Sequence, residues 1–297
     1  MPLAASQGAR IYYEETGKGT PILFIHEFGG DHRSWDDQMR HFGRSWRCIT
    51  WAARGYPGSD APDDENLYGQ DFFNRDAIAV LDAAGIKQAH IVGLSMGGYT
   101  ALMLAAKFPD RIISCVAAGA GSGALKSTRA QFIEEARVRA AEFDRMGRID
   151  AEAMGLSPTR VQLQVKDPIG WQAFVRNLAE HSAHAAAKTL RTVQAGRASL
   201  YDMESELKGI KAPVLLLVGD EDEPCLDVNL WMKRLLPNAR LGLLPGSGHA
   251  INLEEPALFN QLIEQFLADV ERGSWRPRDA RAQGGATTSS LGGARKP

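Results

Sequence analysis

Short apolar runs, most of them ending in glycine-rich or polar loops, alternate along this chain with longer stretches of helical periodicity. Pro21 to His26, Arg47 to Ala52, Ala89 to Leu94, Ile112 to Ala118, Pro213 to Val218 and Ala239 to Leu244 are too short for helices and read as strands buried in a parallel sheet. Arg10 to Glu15 alternates weakly and predicts an edge strand. Asp31 or Ser34 can cap a helix behind the turn at 27–31, and Gln70 to Ala84, Tyr99 to Phe108 and Pro256 to Glu271 predict further helices. Strand, loop and helix repeated at this spacing give an α/β fold, a mostly parallel central sheet with helices on both faces.

The alternation stops between 121 and 211. Ser127 to Met146, Pro168 to Leu178, Ser182 to Ala195 and Ser199 to Lys208 are helical there, and nothing looks like sheet. The expected organisation is therefore a core from 1–120 and 212–272 with a helical cap from 121–211. The cap would lie over the C-terminal ends of the strands, where open α/β sheets bind their ligands. From Arg272 onward six basic residues face one acid, Asp279, and large apolar side chains almost vanish, so 273–297 is expected to be a disordered tail.

One junction in this pattern carries chemistry. The strand Ala89 to Leu94 runs into Gly93-Leu94-Ser95-Met96-Gly97-Gly98 and then into a helix, the order of a nucleophile elbow. A serine lifted clear of the sheet sits in a sharp turn, and side chains at Gly93 and Gly97 would collide with the neighbouring strand or the incoming helix. The first turn of the helix leaves its N–H groups without intrahelical partners, so the Met96 N–H can receive charge developing on a substrate oxygen. A dinucleotide loop would need G-x-G-x-x-G, and the second glycine of that pattern is missing.

Composition narrows the class without naming a reaction. At 297 residues and 44% hydrophobic content, the chain suits one large α/β domain with an insertion. A formal net charge of −2 gives no reason to expect nucleic acid or an anionic membrane as partner. The longest uncharged stretch, Ile91 to Ala106, is broken by glycines and too short to cross a bilayer, and Met1 to Tyr13 lacks the pattern of a secretory signal. Cys48, Cys115 and Cys225 are odd in number and far apart, which suits reduced thiols in the cytoplasm and neither a disulfide frame nor a metal site. No cofactor is expected, and oligomeric state is not legible.

A serine hydroxyl needs a base, and the base needs an orienting acid. Of the seven histidines, His249 follows the last strand in a tight Gly246-Ser247-Gly248 loop that can project an imidazole over the sheet. His26 ends a strand and reads as a structural residue holding its turn. His181 and His184 fall in the cap, and His32, His41 and His90 read as surface or helix-border residues. The acid is sought in Gly219-Asp220-Glu221-Asp222-Glu223, whose four carboxylates cannot all point at one imidazole.

The order Ser95, acid, His249 is that of the α/β-hydrolase fold superfamily. From Arg10 to Glu271 the chain resembles that family, in His26-Glu27-Phe28-Gly29, Arg54-Gly55-Tyr56-Pro57-Gly58-Ser59, Gly93-Leu94-Ser95-Met96-Gly97-Gly98, Gly219-Asp220-Glu221-Asp222 and Gly248-His249 followed by Glu254-Glu255-Pro256. The resemblance implies Asp222 as the acid, with Asp220 second, and the N–H groups of Phe28 and Met96 as oxyanion donors. Glu27 departs from the glycine common at its position; a carboxylate at the mouth biases against anionic substrates, but its side chain is expected to point to solvent.

The implied activity is that of a serine esterase acting on a small-molecule ester or lactone through an acyl-enzyme. Enol-lactonases resemble the chain in the elbow and in the Gly-His segment. Haloalkane dehalogenases and epoxide hydrolases need a carboxylate where Ser95 stands, and Ala250 replaces the tryptophan that often follows the histidine in carbon–carbon bond hydrolases. Cofactor-free dioxygenases, perhydrolases and small-molecule receptors share the scaffold. Phe132, Met154, Leu156, Trp171 and Phe174 are candidates for an apolar acyl pocket.

Overall fold

In a computed structural model, residues 2–279 are described. They form an eight-stranded sheet of β1 (Leu3–Ser6), β2 (Ala9–Thr16), β3 (Pro21–Ile25), β4 (Arg47–Trp51), β5 (Ala89–Leu94), β6 (Ile112–Ala118), β7 (Val214–Gly219) and β8 (Ala239–Leu244). The spatial order is β1-β2-β4-β3-β5-β6-β7-β8. β1 and β2 pair antiparallel, β2 runs antiparallel to β4, and every later neighbour is parallel.

The continuous apolar runs are explained by two covered faces. In β3, Ile22 and Phe24 point to one side and Leu23 and Ile25 to the other, as the two-residue period of a strand requires. The first side packs against α1 (Asp36–Phe42) and α12 (Pro256–Glu271) through Trp35, Phe42, Phe259 and Phe266. The second packs against α2 (Gln70–Ala83), α3 (Met96–Lys107) and α10 (Glu223–Leu235) through Phe73, Val80, Leu102, Val228 and Met232.

Between β6 and β7 lie α4 (Arg129–Met146), α5 (Ala151–Gly155), α6 (Val161–Lys166), α7 (Pro168–Ala179), α8 (Ala183–Thr189) and α9 (Glu204–Lys208). α4 to α8 share an apolar cluster of their own, with Phe143, Leu163, Phe174, Leu178 and Leu190 at its centre. α8 continues into a wider turn at Leu190–Gln194, where the Ala195 N–H reaches back five residues to the Leu190 carbonyl at 2.8 Å. A short α11 (Ile251–Glu254) precedes α12. No helix among the described residues is long and apolar enough to cross a membrane.

Three expectations need correction. β2 is not an edge strand, because β1 lies outside it. His90 is no border residue: it is fully buried in β5, with Nδ1 2.7 Å from Ser114 Oγ, and burial pushes its pKa down to about 4. The chain also stays on the body beyond 272. Trp275 stacks edge-on against Phe266 with ring centroids 4.6 Å apart and lies 3.8 Å from the Arg240 guanidinium. The rest of the expected tail, 280–297, is outside the described residues.

The loop after β4 is tied to α2 by a buried ion pair. Arg54 and Asp76 of α2 have fully buried side chains, and the guanidinium grips the carboxylate with two parallel hydrogen bonds, Nε to Oδ2 at 2.7 Å and Nη2 to Oδ1 at 2.5 Å. Further bonds to the Leu67 and Ser6 carbonyls occupy two more of its five N–H donors. Arg54→Met leaves the Asp76 charge buried and unpaired, and is expected to cost about 3 kcal/mol of stability. A fall in the urea midpoint at unchanged slope measures it.

Candidate active site

Ser95 links the end of β5 to the start of α3 in a conformation that few residues adopt. Its φ of 56° and ψ of −110° lie in the positive-φ region, shared among described non-glycine residues by Gln7 alone. A serine held so costs about 1–3 kcal/mol of backbone strain, which the surroundings must impose. They do so through close contacts: a Cβ on Gly93 would strike the Gly97 carbonyl, and one on Gly97 would strike the Ile25 carbonyl of β3. The Ser95 N–H is tied to the Ala118 carbonyl of β6 at 2.7 Å. Met96 is the first residue of α3, where the helix supplies no acceptor for its N–H.

His249 stands in the loop between β8 and α11, with Nδ1 2.7 Å from Asp222 Oδ2 and both side chains buried. Three backbone hydrogen bonds hold the loop. The His249 N–H donates to the Thr159 carbonyl at 2.6 Å, while the N–H groups of Gly248 and Ala250 donate to the two oxygens of Glu254, at 2.6 and 2.9 Å. A Cβ on Gly219 would collide with the carbonyls of Ser247 and Gly248, so glycine is needed where β7 passes beneath this loop. Burial opposes a proton on His249, but the charge and hydrogen bond of Asp222 outweigh it and lift the pKa above the ordinary imidazole value.

The structure distinguishes the acids that the sequence leaves together. Asp222 reaches His249, whereas Asp220 Oδ1 accepts the Ser247 N–H at 3.1 Å and Glu221 bonds the Gln162 amide. Glu223 is exposed at the rim of the cavity described below. Cys225 brings its Sγ into a group with Asp222 and His249 whose possible ligating atoms all lie within 4.8 Å of one another. The Cys225 thiol donates to the Gly119 carbonyl at 3.3 Å, and burial holds its pKa well above the usual value. With Asp222 Oδ2 and His249 Nδ1 bonded to each other, the group is suited to holding protons in place.

Phe28 follows β3. The Tyr56 hydroxyl donates to its carbonyl at 3.0 Å, which fixes the orientation of its backbone. His26 holds the same turn: its Nε2 accepts the Ala53 N–H at 3.0 Å, which leaves the ring proton on Nδ1, 2.7 Å from the Glu27 carbonyl. Burial lowers the His26 pKa to about 4.

Glu27 does not point to solvent. It is 1% exposed and pairs with Arg160, which precedes α6. The partner lies 133 positions away and only the fold brings it here.

Phe28, Ser95 and His249 open on one cavity of about 520 Å³, walled from the helical insertion by Leu125, Phe132, Leu190 and Arg160, among others. Of the five candidates for an apolar pocket, Phe132 lines it. Met154 and Phe174 are core of the insertion, Trp171 packs at the edge of that core, and Leu156 is 42% exposed. Helical spacing marks an apolar face without saying what it faces.

A family model described as "alpha/beta hydrolase fold" matches residues 20–256. The 2-hydroxymuconate semialdehyde hydrolase of Pseudomonas putida is 29% identical over 267 residues, 89% of this chain and 92% of that one. The 3-oxoadipate enol-lactonase 1 of Acinetobacter baylyi is 26% identical over 254 residues, 84% of this chain and 89% of that one. Among solved structures, a thermophilic esterase from Thermogutta terrifontis superposes with a TM-score of 0.81 at 22% identity, covering 91% of this chain and 98% of that one, a likeness of fold.

Proposed function

The chain belongs to the alpha/beta hydrolase fold family, and on that premise we propose that it hydrolyses a carboxylic ester or lactone of a small molecule by two-step acyl transfer. Ser95 Oγ attacks the carbonyl carbon while His249 Nε2 takes its proton. The tetrahedral oxyanion sits between the N–H groups of Phe28 and Met96, and its collapse releases the alcohol, which receives the proton from His249. Water, deprotonated in turn by His249, then cleaves the acyl-serine. Asp222 orients the imidazole and stabilises its charged form. The observation that carries this reading is the Asp222 Oδ2 to His249 Nδ1 bond of 2.7 Å beside a cavity that a strained Ser95 also faces.

The segment 121–211 acts as a cap in this reading, because residues on α4 and the turn after α8 wall the cavity. Leu125, Phe132 and Leu190 suit an apolar acyl group, and the enol-lactonase relative, whose name denotes a cyclic ester, supports including lactones. A p-nitrophenyl ester series from acetate to octanoate, run with a set of lactones, tests the proposal. Sustained turnover, falling once the acyl chain outgrows the cavity, is the expected result. A single burst equal to the protein concentration, with no turnover on any lactone, overturns it in favour of a receptor-like role.

A further inference from the structure

The charges on the cavity wall are placed unevenly. Glu135 and Arg139 on α4 and Glu223 on α10 are exposed at the rim, mixed in sign and screened by solvent. Arg160 is different: its side chain is 14% exposed, it lines the cavity, and its Nε is buried without a hydrogen-bond partner. Its Nη2 is bonded to Glu27 Oε2, and the Glu27 side chain is 1% exposed. An arginine so placed would present a poorly hydrated cation to any acyl group in the cavity. Glu27, between His26 and the proposed oxyanion donor Phe28, cancels that charge from behind.

We infer that Glu27 is a specificity-determining residue, which by neutralising Arg160 keeps the cavity selective for uncharged acyl groups over carboxylate-bearing ones. This rests on the ester-hydrolase reading above for its biological meaning, although the binding preference itself does not require turnover. The physical basis is asymmetric burial. Removing one member of a buried pair leaves the other uncompensated in a region of low dielectric, where its field reaches a ligand several ångströms away. Burial by itself would raise the Glu27 pKa, yet the Arg160 charge pulls it below the ordinary carboxylate value, so the pair is ionised. The competing role, a latch that merely holds α6 against the loop after β3, would affect charged and uncharged ligands alike.

The experiment uses Ser95→Ala protein, so that esters bind without being consumed, and two ligands of similar size, methyl butyrate and monomethyl succinate. Calorimetric titration gives the ratio of their dissociation constants, with circular dichroism confirming the fold. Adding Glu27→Gln, which keeps the side-chain shape and an oxygen for Arg160, is expected to shift that ratio about tenfold toward the anionic ester, about one decade in relative affinity. Adding Arg160→Gln as well is expected to return it to within about twofold of the parent. Arg160→Gln without the Glu27 change exposes the lone carboxylate and is expected to weaken the anionic ester by several-fold more than the neutral one, a second readout if the Glu27 variant fails to fold. An unchanged ratio in either single exchange, an anionic preference that survives removal of Arg160, or binding of neither ester in any variant overturns the inference. Failure of the hydrolase reading shows separately, as absence of ester turnover by the unsubstituted chain.

Discussion

Ser95→Ala is expected to lower kcat/KM for an activated ester by about 10³-fold or more, a loss of about 4 kcal/mol of transition-state stabilisation. On the proposed mechanism the exchange removes the attacking oxygen and leaves the cavity, His249 and the Phe28 and Met96 N–H groups in place, so the remaining activity would measure positioning and oxyanion stabilisation alone. Stability should hardly move. Ser95 already carries a Cβ in the positive-φ conformation, and alanine keeps that Cβ, so the strain is the same in both proteins and the thermal midpoint is the control. Turnover at the unsubstituted level would remove Ser95 from the mechanism and with it the reading of the elbow.

The elbow was legible because steric rules act locally. Gly93 and Gly97 are two residues either side of Ser95, and what they avoid is backbone that the strand–turn–helix order brings there: the start of the following helix for Gly93 and the neighbouring parallel strand for Gly97. The buried strands were legible for a similar reason, since two covered faces demand unbroken apolar runs. β1 was not: its four residues, Leu3-Ala4-Ala5-Ser6, bury only alternate positions and carry little β preference. α10 is masked in the sequence, although Cys225, Val228, Asn229 and Met232 fall on one buried face at helical spacing, because its opening reads first as an acidic loop.

What the sequence could not supply was pairing across distance. Glu27 and Arg160, His249 and Thr159, and Asp31 and His181 each join the loops after the core strands to the insertion. Their identities become meaningful only once the insertion is folded back. Glu254 is an intermediate case. It lies five positions after His249, in a segment that resembles the family, but its task of gripping the N–H groups on both sides of His249 appears only in the loop geometry.

The choice between the two aspartates was open for the same reason, and it yields the other large expected effect. Asp222→Asn should reduce kcat/KM by about 10⁴-fold, because the amide can present its NH₂ to Nδ1 and so hold the imidazole in the tautomer that cannot accept the Ser95 proton. Asp220→Asn should cost less than about threefold, since its side-chain oxygen can still accept the Ser247 N–H as Asp220 Oδ1 does at 3.1 Å. The pH profile separates loss of the acid from a general disturbance. His249 must be unprotonated to act as base, so kcat/KM falls as pH drops through its pKa. Asp222 holds that pKa above the ordinary value by favouring the imidazolium. Without the carboxylate charge the proton is held less tightly, and the acidic limb of the residual activity moves to lower pH. Asp220→Asn should leave the limb where it is. A profile displaced by Asp220→Asn and unmoved by Asp222→Asn would transfer the role to Asp220, and would require the loop between β7 and α10 to rearrange in the working enzyme.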